Sequence, residues 1–198
     1  IEPAAKQPTL VWLSGFKSDM SGSKALAVKD LCESRGWGYL AFDYFGHGQS
    51  SGDFADGTIS RWREDCLVAL DELSEGPLVL IGSSMGGWMA LLTALGRKAR
   101  VKGVVLIAPA PDFTEKLMWE SMPETARADI LNHGKWMRPN EYGEPYPITR
   151  ELIEDGKTWN VLDGEIDLSC PVTIVQGMDD PDVPWKHALR VQNALKGD

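Results

Sequence analysis

Histidine and cysteine are scarce in this chain, and long apolar runs are missing. Its 198 residues hold three histidines, His47, His133 and His187, and three cysteines, Cys32, Cys66 and Cys170. None of these falls at metal-ligand spacing, so no metal site is expected. There is no C-x-x-C pair, and an odd number of cysteines cannot all pair internally; reduced thiols in a cytoplasmic setting are the expectation. No apolar run approaches membrane-spanning length, and no basic segment leading into an apolar core opens the chain. Basic residues are also in deficit. Twenty lysines and arginines against 29 aspartates and glutamates give a formal net charge of −9. Nucleic acid and anionic membrane surfaces are therefore not expected partners, because both need a basic face.

The length and a hydrophobic fraction of 43% suit one globular domain with a sizeable core. Short apolar runs recur, each followed by a turn and a longer amphipathic stretch. Strands are expected at 9–15, 38–43, 77–82, 101–109 and 171–177. Helices are expected at 23–34, 58–73, 85–97 and 185–195, with Thr58 able to cap the second. The strand runs are continuously apolar rather than alternating, as in strands buried on both faces. Alternation of strand and helix predicts a mostly parallel sheet with helices on both faces, an α/β fold. Residues 112–168 break the rhythm. They carry Trp119, Trp136 and Trp159 with Tyr142 and Tyr146, and helical patterns at 113–121, 124–132 and 149–161. A helical cap insertion is expected there, between core parts 1–111 and 169–198, with aromatics lining an apolar pocket.

The stretch LIGSSMGGWMA, residues 80–90, matches G-x-S-x-G between a buried strand and a helix. A serine nucleophile there needs a sharp turn that lifts its oxygen from the sheet edge. The turn brings strand and helix into close contact, so Gly82 and Gly86 carry no side chains. Ser84 is the expected nucleophile, and Ser83 occupies a variable position of the motif. The N–H of Met85 is one expected oxyanion donor. The other is expected from the loop WLSGFKSD, with Phe16 as donor and Gly15 allowing close approach. The turn VQGMDDPDVPW offers an acid from Asp179, Asp180 or Asp182, and the residues alone do not choose among them.

These elements, LSGF at 13–16, FDYFGHGQSSG at 42–52, GSSMGG at 82–87 and QGMDDPDVPW at 176–185, occur in the order of the α/β-hydrolase family, which the chain resembles. SDMSGSKA, DGTISRW and IGSSMGGWMALL carry a closer resemblance to the palmitoyl-protein thioesterase-like branch and its bacterial relatives. The resemblance implies an α/β-hydrolase fold and favours Asp180 as the acid, through a G-x-x-D-x-x-V-P match at Gly177, Asp180, Val183 and Pro184. It also implies substrates that are small acyl esters or thioesters with an apolar acyl group.

The family's triad order places a histidine after the acid. Only 18 residues follow Asp180, and they read as a loop and one helix. His187 follows the acid but sits in the first turn of that helix, and His47 lies in a GHG turn; both are lesser candidates for the base. His133 falls in the insertion. Truncation of both terminal strand regions is the expectation, with the triad histidine beyond residue 198. No cofactor is expected: Glu151 stands where a phosphate-binding loop ending in Gly156-Lys157-Thr158 needs glycine, and the GHGQSSG turn lacks a dinucleotide fingerprint. The expected activity is hydrolysis of carboxylic esters or thioesters through an acyl-enzyme. The alternative is a non-catalytic ligand-binding or interaction module on the same fold.

Overall fold

The computed structural model describes residues 7–140 and 143–196. Strands β1 (Thr9–Leu13), β2 (Tyr39–Ala41), β3 (Leu78–Ser83), β4 (Val101–Ile107) and β7 (Val172–Val175) form a parallel sheet in the order β2-β1-β3-β4-β7. Helices α1 (Ser23–Arg35), α2 (Ile59–Leu73) and α3 (Met85–Gly96) make the crossovers between the first four strands, and α6 (Trp185–Ala194) follows β7. The expected strands and helices are all present, with shorter strand ends.

Pleating sorts the apolar runs between two faces. Val11 and Leu13 of β1, Leu78 and Leu80 of β3, and Val104 and Leu106 of β4 join the larger cluster with α2 and α3. Leu10, Trp12 and Ile81 point the other way and meet Ala25 and Cys32 of α1. The ten residues Met85–Ala94 of α3 are all buried, which explains a helix without a charged residue. In contrast α2 buries one stripe, with Ile59, Trp62, Cys66 and Leu70 inward. Thr58 caps it as expected, its hydroxyl accepting from Arg61 N at 3.2 Å.

The insertion differs from the expected helical cap. It begins with a wide helical turn, Thr114–Trp119, and continues as α4 (Glu124–His133). An antiparallel hairpin then follows, β5 (Lys135–Arg138) with β6 (Tyr146–Thr149), and the segment ends in α5 (Arg150–Lys157). The hairpin is the correction to the sequence expectation. Its strands are half exposed and contain a proline, so they lack the continuous apolar run that marks the core strands. Ile130, Ile148, Leu152 and Ile153 of the insertion belong to the same cluster as the sheet's main face. Ser60 Oγ donates to Asp155 Oδ1 at 2.5 Å and accepts from Trp159 Nε1 at 2.7 Å, which latches the insertion to α2. Tyr142 lies outside the described residues.

Candidate active site

The sheet order reverses direction between β1 and β3. From β1 the chain moves outward to β2, then returns to the far side of β1 to make β3. In open parallel sheets such a switch point opens a crevice at the carboxyl ends of the strands. The loop after β1 and the turn after β3 both end there, because Leu13 pairs with Gly82 in register.

Ser84 follows β3 directly with φ 55° and ψ −121°, a left-handed conformation for a non-glycine residue. Such a backbone costs about 1–3 kcal/mol and persists only where surrounding bonds impose it. Here Ser84 N donates to Ile107 O at 3.0 Å, and Ser84 O accepts from Gly87 N at 2.9 Å and Ala110 N at 3.0 Å. A Cβ at Gly82 would overlap the Gly86 carbonyl, and one at Gly86 would overlap the Leu13 carbonyl. The strand, the turn and α3 therefore pass too closely for side chains at these two positions. The Ser84 side chain stands at the head of α3, where the helix dipole is positive.

Two cavities meet at Ser84. One, of about 480 Å3, is bordered by Ser14, Gly15, Phe16, Asp180 and Asp182. The other, of about 250 Å3, is lined by the apolar side chains of Phe16, Phe113, Leu117, Met118 and Val183 together with the polar ones of Arg138, Tyr146 and Asp182. Ser84 and Phe16 belong to both. The N–H groups of Phe16 and Met85 donate to no described residue, which leaves both available to an incoming oxygen.

The Phe16 loop is held by residues that the sequence reading did not single out for this purpose. His47 Nε2 accepts from Lys17 N at 3.2 Å, and Nδ1 donates to Phe45 O at 3.2 Å. Burial holds the His47 pKa below its ordinary value, which keeps the ring neutral and Nε2 an acceptor. Asp43, also buried, accepts from Met20 N at 2.7 Å and Gln49 N at 2.9 Å, tying that loop to the GHG turn. An acid at a strand end beside a glycine-rich turn was the signal available for it.

The acidic turn separates its three carboxylates. Asp180 is half-buried and borders the larger cavity, whereas Asp179 is exposed and borders neither. Asp180 Oδ1 accepts from Asp182 N at 3.0 Å and Val183 N at 2.8 Å. These bonds fix the carboxylate and leave Oδ2 free among the described residues. Asp182 is exposed and borders both cavities.

The three histidines are engaged elsewhere or lie apart. Both ring nitrogens of His47 are bonded to backbone groups. His187 is buried at the start of α6, with Nε2 donating to Pro111 O at 2.9 Å, and burial lowers its pKa. His133 is exposed at the end of α4. His47 thus has no ring nitrogen left over, and His187 is turned with Nε2 onto Pro111 and borders neither cavity at Ser84. Asp112, left out of the sequence reading, closes the root of the insertion: its carboxylate accepts from Val161 N and Leu162 N, each at 2.9 Å. Burial raises its pKa.

Comparison with known proteins agrees with this architecture. Residues 4–153 match the family described as serine aminopeptidase, S33. The mitochondrial palmitoyl-protein thioesterase ABHD10 of Rattus norvegicus is 36% identical over 192 residues, which is 96% of this chain and 64% of that protein. The chain thus spans less than two thirds of that relative's length. A solved protein of Agrobacterium vitis S4 superposes with a TM-score of 0.93 at 48% identity, covering 99% of this chain and 79% of that one. Mouse alpha/beta hydrolase domain-containing protein 10 gives 0.87 at 34% identity, covering 98% and 78%. Among the described residues, no helix is long and apolar enough to cross a membrane. The family match, the solved relatives and the strained serine turn at the head of α3 agree: this chain belongs to the serine aminopeptidase, S33 family of the α/β-hydrolase superfamily.

Proposed function

We propose that the protein is a serine hydrolase of carboxylic esters and thioesters, working through an acyl-enzyme. The observation that carries this is the position of Ser84: strained, at the switch point, between a cavity holding a fixed carboxylate and a cavity that Phe113, Leu117 and Met118 help to line. The Ser84 hydroxyl attacks the acyl carbonyl as a base removes its proton. The carbonyl oxygen gains negative charge and takes hydrogen bonds from Phe16 N–H and Met85 N–H. The intermediate collapses, the C–O or C–S bond breaks, and the alcohol or thiol leaves with a proton. Water then repeats the attack on the acyl-serine and releases the acid.

In this reading the base is an imidazole seated in the larger cavity, bonded to Asp180 Oδ2 on one side and Ser84 Oγ on the other. None of His47, His133 and His187 borders the larger cavity, and the imidazole is proposed to come from outside the described residues. The name palmitoyl-protein thioesterase, printed for the relatives, supports thioesters as a substrate class. The apolar side chains of Phe113, Leu117 and Met118 in the smaller cavity support an acyl group with an apolar part. A cytoplasmic setting is proposed from the three free cysteines, although the relatives' name places those proteins in mitochondria. Turnover of p-nitrophenyl esters and acyl thioesters by the full-length protein tests the proposal. Ser84→Ala is expected to lower kcat/KM about 10^3-fold or more. A well-folded full-length protein without turnover, or an active Ser84→Ala, would favour the non-catalytic binding module.

A further inference from the structure

The smaller cavity mixes apolar side chains, among them Phe113, Leu117 and Met118, with the polar groups of Ser84, Arg138 and Asp182. Arg138 is the last residue of β5, and its backbone pairs with Tyr146 of β6. The Tyr146 ring packs on Phe16 at 6.0 Å and on Phe54 at 6.2 Å, which fixes this end of the hairpin beside the loop that borders Ser84. Arg138 as a residue is half-buried, and its side chain makes no hydrogen bond or ion pair with any described residue. Asp182 borders the same cavity yet forms no ion pair with it. A second cation stands close by: Lys17 Nζ lies 4.7 Å from the Phe54 ring centre and 5.3 Å from that of Tyr146. The chain carries nine more acidic than basic side chains, yet neither Arg138 at this cavity nor Lys17 over the Tyr146 ring has a carboxylate partner among the described residues.

An unpaired guanidinium at a cavity presents a planar fork of donors that fits carboxylate and phosphate oxygens. We propose that this cavity selects substrates bearing a carboxylate or phosphate on the part of the molecule that fills it. Arg138 binds the anion, Lys17 adds positive potential at the rim, and the apolar side chains hold the carbon chain that links the anion to the scissile carbonyl. The inference takes its substrate class from the proposed ester and thioester hydrolysis. It adds that a neutral acyl ester is the poorer substrate.

The test compares monoethyl suberate, which has one ester and one carboxylate, with neutral diethyl suberate. Ethyl 6-phosphonohexanoate supplies the phosphonate arm, and 4-carboxyphenyl hexanoate against phenyl hexanoate moves the anion to the leaving group. Binding is read by tryptophan fluorescence on Ser84→Ala, which needs no turnover, and kcat/KM is read on the full-length protein. Expected are about ten-fold tighter binding of the half-ester than of the diester, loss of that ratio in Arg138→Gln, and its partial retention in Arg138→Lys. An unchanged ratio in Arg138→Gln, no anion preference, or no binding of either ester overturns the inference. Anion-selective binding without turnover leaves the inference standing and removes the proposed hydrolysis. Turnover without anion preference does the reverse.

Discussion

His47 Nε2 accepts the backbone N–H of Lys17 at 3.2 Å, so a ring on the GHG turn holds the loop that contributes Phe16. The bond requires a neutral ring, because a protonated Nε2 cannot accept. His47 and His187 both have pKa values lowered by burial from the ordinary 6.5. Above about 6.5 these rings are neutral in folded and unfolded chains, and their contribution to stability is complete. As pH falls below that value the unfolded chain takes up protons first, so stability drops until pH passes below the folded values. Asp65 and Asp112, raised by burial, act in the opposite sense in a window that starts at 3.8. Thermal melts are expected to show a lower Tm at pH 5.5 than at pH 7.5. Replacing both rings, His47→Gln with His187→Gln, should flatten the difference; a wild-type Tm that does not fall between these pH values contradicts the account.

Ser84 carries a left-handed backbone that glycine adopts without strain. Ser84→Gly is therefore expected to raise stability by about 1 kcal/mol, roughly 2–4 °C in Tm, while removing the hydroxyl. Gly86→Ala places a methyl group against the Leu13 carbonyl and should cost about 3 kcal/mol or more. Paired calorimetric scans of the two variants check both signs. A stabilised Gly86→Ala would mean that the strand and helix do not pass as closely as described.

Asp180 differs from its neighbours in being half-buried, fixed by two backbone N–H groups and facing the larger cavity. In the full-length protein Asp180→Asn is expected to lower kcat/KM about 10^3-fold, and Asp179→Asn less than three-fold. Equal losses at the two positions would refute the assignment of the acid.

The larger cavity is bordered by both Ser84 and Asp180 and is large enough for an imidazole molecule. With residues 1–198 alone, added imidazole is expected to raise ester hydrolysis in a saturable manner that disappears in Ser84→Ala. A strictly linear dependence, equal in both proteins, would show only solution catalysis.

Much of this was legible in the sequence for identifiable reasons. Strands buried on both faces read as unbroken apolar runs, so β1, β3 and β4 could be placed from composition alone. The serine turn was legible because close packing admits only glycine at residues 82 and 86. The acid was not chosen by local sequence. What distinguishes Asp180 from Asp179 is which carboxylate folds back on its own turn and faces the cavity, a tertiary fact. The hairpin escaped notice because its short strands are defined by packing of Tyr146 on Phe16 and Phe54. The bonds from His47 to Lys17 and from Asp112 to residues 161 and 162 span long stretches of chain, and no local pattern announces them.

The central claim is that Ser84 is the reacting residue. Labelling of the full-length protein with a fluorophosphonate, followed by digestion and mass spectrometry of the peptide around residues 80–90, tests it most directly. The account predicts one adduct per chain, fragment ions placing it on Ser84 rather than Ser83, and no adduct in Ser84→Ala. An adduct on Ser83 or another residue, or none on a folded full-length protein, would contradict it.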